Sequence, residues 1–298
     1  MINELQKYGT VTEHASLKNM NTYHIDGKAK LLVEPNSIED VVNVLKTLRQ
    51  YKEPYFLLGN GSNIVLNDKE INGVVIRFNK LNKIEIDAEK GSIYVEAGAM
   101  LPKIVIDAVN NNLCGLEYAA GIPGTIGGAI YGNAGAYNSC ILDYVNKVTV
   151  IDTDLEMVTL ENQDIKYAYR TSLFKETKKY TIVSAELLLS HGSKEASEDI
   201  MADRKRRRVE SQPLEFPNAG SVFRNPENDY AGRLIESCEL KGYKIGGAEV
   251  STKHANFIIN SNNASGKDIH DLILHVHDTV LEKTGVDLLI EQEFVDWE

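Results

Sequence analysis

Gly59-Asn60-Gly61-Ser62-Asn63 stands directly after the apolar run Tyr55-Phe56-Leu57-Leu58. Glycines let successive main-chain N–H groups converge on an anion, and Ser62 and Asn63 add side-chain donors. A tight turn between two strands is the plainer alternative. Ile64-Val65-Leu66 then reads as a strand, so no helix opens as a Rossmann unit would require, and no G-K-[ST] marks a P-loop. A second stretch, Gly121 to Tyr137, contains Gly121, Pro123, Gly124, Gly127, Gly128, Asn133, Ala134, Gly135 and Ala136. So many small residues cost backbone entropy, which suggests that something large approaches the main chain closely. Close helix packing is the plainer alternative. Two separated anion-friendly loops suit an extended cofactor with a diphosphate centre and a flat ring.

Two further segments carry side chains with chemical potential. In Tyr169-Arg170-x-Ser172-x-Phe174-Lys175, Arg170 offers a planar fork that can hold a carboxylate through two hydrogen bonds, or form a structural ion pair. In Asn218-Ala219-Gly220-Ser221-Val222-Phe223-Arg224-Asn225-Pro226, small residues before Ser221 would let a ligand reach its hydroxyl. No G-x-S-x-G elbow surrounds it and no evident His and Asp partners activate it, so a proton donor is favoured over an acyl-forming nucleophile. A turn serine is the alternative.

The elements that must position these residues are of mixed type. Ser37 opens a helix, with Asp40 three residues on and Val41, Val42, Leu45 and Leu48 at helical spacing. Tyr55–Leu58 reads as a buried strand. Alternation from Ile64 to Phe78 and from Ile84 to Val95, around Asn72-Gly73 and Lys90-Gly91, predicts strands joined by turns. A helix from Pro102 to Asn112 carries the stripe Ile104, Val105, Ala108 and Val109, and strands follow at Val145–Ile151 and Tyr180–Leu189. Pro213 and Pro217 mark a boundary, after which a last domain ends in a helix from about Lys267 to Lys283, capped by Ser265.

The chain has 298 residues, 43% hydrophobic and 25% charged, enough for two or three folded domains. With 32 basic against 43 acidic side chains, the formal charge of -11 disfavours nucleic acid and anionic lipid as partners. The run Arg204-Lys205-Arg206-Arg207-Arg208 reads as a solvated helix face, with Asp203 spaced to pair with Arg206 and Arg207. The first residues lack the apolar core of a signal sequence and no long apolar span occurs, so a cytoplasmic protein without membrane insertion is expected. Cys114, Cys140 and Cys238 suggest neither a disulfide framework nor a zinc site. His270 and His277 lie about two turns apart on the last helix while His275 points elsewhere, so no metal is expected.

Together these segments resemble the UDP-N-acetylenolpyruvoylglucosamine reductase family, the FAD enzymes that complete UDP-N-acetylmuramate for bacterial peptidoglycan. The resemblance runs from Asn21-Thr22-Tyr23 to Glu291, and its most specific parts are GLEYAAGIPGTIGGAIYGNAGAY, SQPLEFPNAGSVFRNP and AGRLIESCELKGYKIGGAEVSTKHANFIIN. It implies an α+β fold: a two-part FAD-binding region of the vanillyl-alcohol-oxidase type, plus a smaller α+β substrate-binding domain. The implied parts are residues 1–79 joined by the C-terminal strand 286–298, residues 80–212, and residues 213–285. The two glycine-rich stretches would hold FAD. NADPH would reduce it, and C3 of the enolpyruvyl substrate would accept the hydride. Arg170 would hold the substrate carboxylate, Ser221 would give a proton to C2, and Glu291 is the counterpart of the family's catalytic glutamate.

Glu293 lies two residues from Glu291 and on the same face of a strand, so pattern alone does not choose between them. Asn225 matches a family asparagine that touches substrate, and Lys253 and His254 are placed at the nucleotide pocket. The chain departs from the family's usual residues at Asp26, Gly132, Ile290 and Asp296, and is similar to the shorter subgroup. A monomer is expected. An FAD-dependent oxidase of an alcohol or sugar, and a non-catalytic flavin-binding relative, are the competing readings. The first is disfavoured by the absence of His or Cys at an evident flavin attachment point, the second by the presence of Arg170, Ser221 and Glu291.

Overall fold

The computed structural model describes residues 1–297 and is α+β, with helices and mostly antiparallel sheets in alternation. By its internal contacts the chain divides into two compact units, one of residues 1–12, 31–60 and 74–206, the other of residues 13–30, 61–73 and from 207 onward. The strands Gly9–Ser16, Lys28–Pro35 and Glu70–Arg77 each carry the chain from one unit into the other.

These strands belong to a four-stranded sheet ordered Gly9–Ser16, Lys28–Pro35, Glu70–Arg77, Tyr55–Leu58. The last two are parallel, with Tyr55 opposite Val74 and Leu58 opposite Arg77. The helix Ile38–Tyr51 begins at Ser37, whose hydroxyl accepts the Asp40 N–H. It buries Val41, Val44, Leu45 and Leu48 in one core with Leu31, Val33, Val74 and Ile76. Val44 takes the fully buried place that spacing assigns to Val42, which is only partly covered.

Two strand expectations are corrected. Tyr55–Leu58 is an edge strand, not a buried one, and leaves Tyr55 46% exposed. Asn72-Gly73 does not reverse the chain. Gly73 takes a φ of 132°, which a residue without Cβ tolerates, and the strand Glu70–Arg77 runs on through it. The Lys90-Gly91 turn does close a hairpin, in which Ile84–Asp87 pairs with Ser92–Glu96.

That hairpin is one side of a five-stranded antiparallel sheet ordered Met157–Glu161, Val145–Ile151, Thr181–Leu188, Ser92–Glu96, Ile84–Asp87. Helix Leu101–Asn110 contributes Ile104, Val105 and Ala108 to the core beside this sheet's Ile93, Val95, Val148 and Val183.

The second unit holds a three-stranded antiparallel sheet, Lys244–Ile245, Ala248–Val250 and Ile258–Asn260, against which helix Gly266–Thr284 packs. Ser265 and Asp268 form a reciprocal capping box at its start. Ile269, Leu272, Ile273, Val276 and Val280 form its buried stripe. The last strand, Glu293–Val295, pairs in parallel with Ile64–Leu66. Among the described residues no helix is long and apolar enough to cross a membrane.

Candidate functional site

Gly59 and Asn60, the start of the first glycine-rich stretch, meet the second stretch in the first unit. Asn60 Nδ2 donates to the Pro123 carbonyl at 2.6 Å. Gly59 approaches Thr125 so closely that a Cβ on residue 59 would lie 2.7 Å from Thr125 Oγ1. That hydroxyl accepts the Gly128 N–H as the cap of helix Ile126–Gly132.

Residues 97–101 fix the second stretch from behind. Leu101 N–H donates to the Gly124 carbonyl, Ile126 N–H to Ala99 and Gly127 N–H to Ala97, each at 2.8–2.9 Å. A side chain at Gly127 would collide with Ala97, and one at Gly135 would come within 2.4 Å of the Ser139 carbonyl. Close packing therefore explains these two glycines. It leaves Gly128 with only an ordinary contact and Gly132 beside open space.

Beside this junction lies a cavity of about 330 Å³, whose lining includes Gly59, Asn60, Arg77, Asn82, Lys103 and Thr125. Arg77 faces Glu34 at 3.7 Å, and among the described residues its buried Nε has no hydrogen-bond partner. A buried guanidinium N–H left in this way is costly unless a ligand supplies the acceptor. Arg77 went unremarked in the sequence pattern, although a cation closing the apolar run Val74-Val75-Ile76 was a visible signal.

Arg170 sits beside the end of the second stretch. It takes a left-handed φ of 59° in the tight hairpin of Tyr167–Ala168 and Thr171–Ser172. Its Nη2 donates to the Gly135 carbonyl at 2.8 Å, and its guanidinium lies over the Tyr169 ring. Two neighbouring bonds dock this hairpin on the glycine-rich segment: Ser172 Oγ donates to Tyr131 O and Asn133 Nδ2 donates to Ala168 O. Asn133, at a φ of 46°, ends helix Ile126–Gly132, after which Gly135-Ala136 pairs with Ser139-Cys140.

In the second unit the chain brings Ser221 and Glu291 onto neighbouring segments. Glu291 N–H donates to the Val222 carbonyl at 2.8 Å, and Arg224 N–H donates to Leu289 at 2.9 Å. Glu293, the rival carboxylate, instead belongs to the strand that pairs with Ile64–Leu66. On the other side of the Ser221 segment, Asn256 accepts the Phe223 N–H and donates to the Phe223 carbonyl. Gly220, at a φ of 77°, makes the turn that presents Ser221, with no atom within 4 Å of a Cβ placed there.

The remaining residues of the first loop also lie in this unit. Gly61, at a φ of 62°, packs on Met20 and Asn21, where a Cβ would meet the Met20 carbonyl. Asn63 Nδ2 donates to the Glu291 carbonyl at 3.2 Å, and Asn63 O accepts the Glu293 N–H. Ser62 connects the two.

Three residues expected at the substrate have partners within the protein. Asn225 Oδ1 accepts the Ala231 N–H at the start of helix Ala231–Ser237. Lys253 Nζ donates to the Val209 carbonyl at 2.6 Å and faces Glu215 at 3.7 Å. His254 packs edge-on against Phe257, its Nδ1 accepts the Asn256 N–H, and burial lowers its pKa, so it is neutral near pH 7. Arg224, not singled out in the sequence, has a buried Nε without a partner among the described residues.

A family described as "FAD binding domain" matches residues 29–161, and one described as "UDP-N-acetylenolpyruvoylglucosamine reductase, C-terminal domain" matches residues 212–295. The chain is 42% identical to the UDP-N-acetylenolpyruvoylglucosamine reductase of Caldanaerobacter subterraneus subsp. tengcongensis, over 99% of this chain and 96% of that protein. It is 41% identical to the same enzyme of Clostridium perfringens at the same coverage. The crystal structure of the UDP-N-acetylenolpyruvylglucosamine reductase of Thermus caldophilus superimposes with a TM-score of 0.82 at 31% identity, covering 96% of this chain and 99% of that one. The chain belongs to the UDP-N-acetylenolpyruvoylglucosamine reductase family.

Proposed function

We propose that the protein is an FAD-dependent oxidoreductase that uses NADPH to reduce the enolpyruvyl ether of UDP-N-acetylglucosamine to UDP-N-acetylmuramate, in the synthesis of peptidoglycan precursors. The observation that carries this reading is the junction at which Asn60 bonds the Pro123 carbonyl beside the partnerless Arg77 Nε. Main-chain amides of residues 59–60 and 121–136, with the partly buried Arg77 close by, suit a diphosphate. The cavity of about 330 Å³ accommodates part of a dinucleotide. Near-full-length similarity to reductases of this family supports the same conclusion.

Bound FAD supplies hydride transfer, from NADPH to C3 of the enolpyruvyl group. The side chains of this protein deal with the charge that results. Hydride addition leaves negative charge at C2 that spreads into the substrate carboxylate, so a cation near the carboxylate and a proton source at C2 both lower the barrier. Arg170 is assigned to the carboxylate. Its backbone is fixed by the hairpin and one arm by Gly135. Ser221 is assigned to C2: the turn at Gly220 leaves open space before it, and no hydrogen bond to Ser221 is found among the described residues. Glu291 is preferred over Glu293 as the catalytic carboxylate because its main chain pairs one residue from Ser221.

Asn225, Lys253 and His254 are assigned to the substrate nucleotide. Residues 1–79 with 286–298, residues 80–212 and residues 213–285 are taken as the functional domains, in a cytoplasmic monomer. The test is direct. The purified protein should show a flavin spectrum and oxidise NADPH quickly only when the enolpyruvyl sugar nucleotide is present. NADPH oxidation indifferent to the sugar nucleotide would remove the reading.

A further inference from the structure

Behind Ser221 runs a buried polar relay that no role in the proposed chemistry yet uses. Gln292 is 4% exposed, and its Nε2 donates to two successive carbonyls, Ala219 at 3.1 Å and Gly220 at 3.4 Å. Its Oε1 accepts the hydroxyl of Tyr23 at 3.0 Å. Tyr23 is itself completely buried, and burial raises its phenol pKa, so it stays a neutral donor. Because the Ala219 and Gly220 carbonyls can only accept, the amide nitrogen must face them, which leaves the carboxamide oxygen to accept from Tyr23. The relay has one orientation.

The consequence for Ser221 follows from peptide geometry. In a planar trans peptide the C=O and the following N–H point in opposite directions. Holding the Gly220 carbonyl on Gln292 therefore turns the Ser221 N–H away from the relay. Holding the Ala219 carbonyl does the same for the Gly220 N–H, which is received by Asn218 Oδ1 at 3.0 Å. Gly220 is the flexible point, since glycine at a φ of 77° resists no other conformation. Gln292 also follows Glu291 directly in the chain.

We infer that Gln292, oriented by Tyr23, is a positioning residue: it locks the Gly220 turn and so sets where the Ser221 hydroxyl meets the substrate. This rests on the proton-donor reading of Ser221. A residue that merely supported the fold would lower stability and leave the chemistry of reoxidation unchanged. A buried Gln left without partners destabilises the fold, so Tyr23 and Gln292 are substituted separately.

The test follows the two half-reactions of the flavin-loaded protein, wild type, Gln292→Glu and Tyr23→Phe, across pH. Flavin reduction by NADPH should be unchanged in all three. Burial raises the pKa of a glutamate at 292, and only its protonated form can donate as Gln does. In Gln292→Glu, reoxidation by the enolpyruvyl sugar nucleotide should therefore fall about tenfold or more at high pH and recover at low pH. This added ionisation would be absent from wild type. Tyr23→Phe should slow reoxidation several-fold without it. Wild-type rates and wild-type pH profiles for reoxidation in both variants would overturn the inference. Failure of the wild-type protein to reoxidise on this substrate would instead refute the reading on which it rests.

Discussion

Gly59→Ala tests the loop junction through one atom. The new Cβ would lie 2.7 Å from Thr125 Oγ1, whereas ordinary contact begins near 3.4 Å, and the next nearest atoms, Thr125 Cβ and Cγ2, are at 3.8 Å. Relief requires the hydroxyl to swing away, which gives up the cap on Gly128 N–H at about 0.5–2 kcal/mol. Displacement of the adjoining Asn60 weakens its bond to Pro123, at about 0.5–1.5 kcal/mol. If FAD requires the packed junction, the two losses subtract about 1–3.5 kcal/mol from its binding, roughly 5- to 400-fold in Kd.

The assay is titration of the apoprotein with FAD, followed by quenching of flavin fluorescence. Thr125→Ala should lose only the cap. In the double variant Gly59→Ala, Thr125→Ala, the obstructing oxygen is gone and the closest remaining atom is in ordinary contact. Its Kd should therefore match that of Thr125→Ala alone, a non-additive cycle. Additive losses, or a Gly59→Ala protein that binds FAD as wild type does, would show that the contact between the loops does not govern cofactor binding.

Other consequences can be measured separately. Ser221→Ala should leave flavin reduction by NADPH nearly intact and slow reoxidation by substrate about 10²- to 10⁴-fold, as seen by stopped-flow absorbance; equal loss in both halves would contradict the assigned role. Arg77→Met should weaken FAD binding about tenfold or more, because a charge-assisted hydrogen bond contributes about 1.5–3 kcal/mol. An unchanged Kd would remove Arg77 from the cofactor site. His277 lies between Asp278 and Asp287, which raise its pKa. Its stabilising charge is fully present below the unfolded value of about 6.5 and is lost as pH rises through the higher folded value. Thermal melts of wild type and His277→Gln should thus differ most at low pH and converge at high pH. Both aspartates are largely exposed, so salt should shrink the gap.

Local features were legible in the amino-acid sequence because local chemistry determines them. Ser37 and Ser265 cap the helices they appeared to cap, and the stripe from Ile269 to Val280 is buried as its spacing indicates. Tyr55–Leu58 is an edge strand, which an apolar run by itself does not reveal. Asn72-Gly73 does not signal its own outcome, because a glycine that permits a turn also permits a strand to continue at positive φ.

At the site, the resemblance to a family carried more than periodicity could. The contact of Asn60 with Pro123 spans 63 residues, and the pairing of Val222 with Glu291 joins distant parts of the chain. No local pattern encodes either. Gln292 was invisible for the same reason: a polar residue next to a candidate acid looks solvent-facing until the fold buries it against Ala219 and Gly220.

The central claim, that this chain returns electrons from its flavin to an enolpyruvyl sugar nucleotide, is tested most directly in a single turnover. The flavin-loaded protein is reduced anaerobically with one equivalent of NADPH, then mixed with UDP-N-acetylglucosamine enolpyruvyl ether while visible flavin absorbance is recorded. Full return of the oxidised spectrum, with one equivalent of UDP-N-acetylmuramate formed, is the predicted result. A flavin that stays reduced until oxygen is admitted would contradict it.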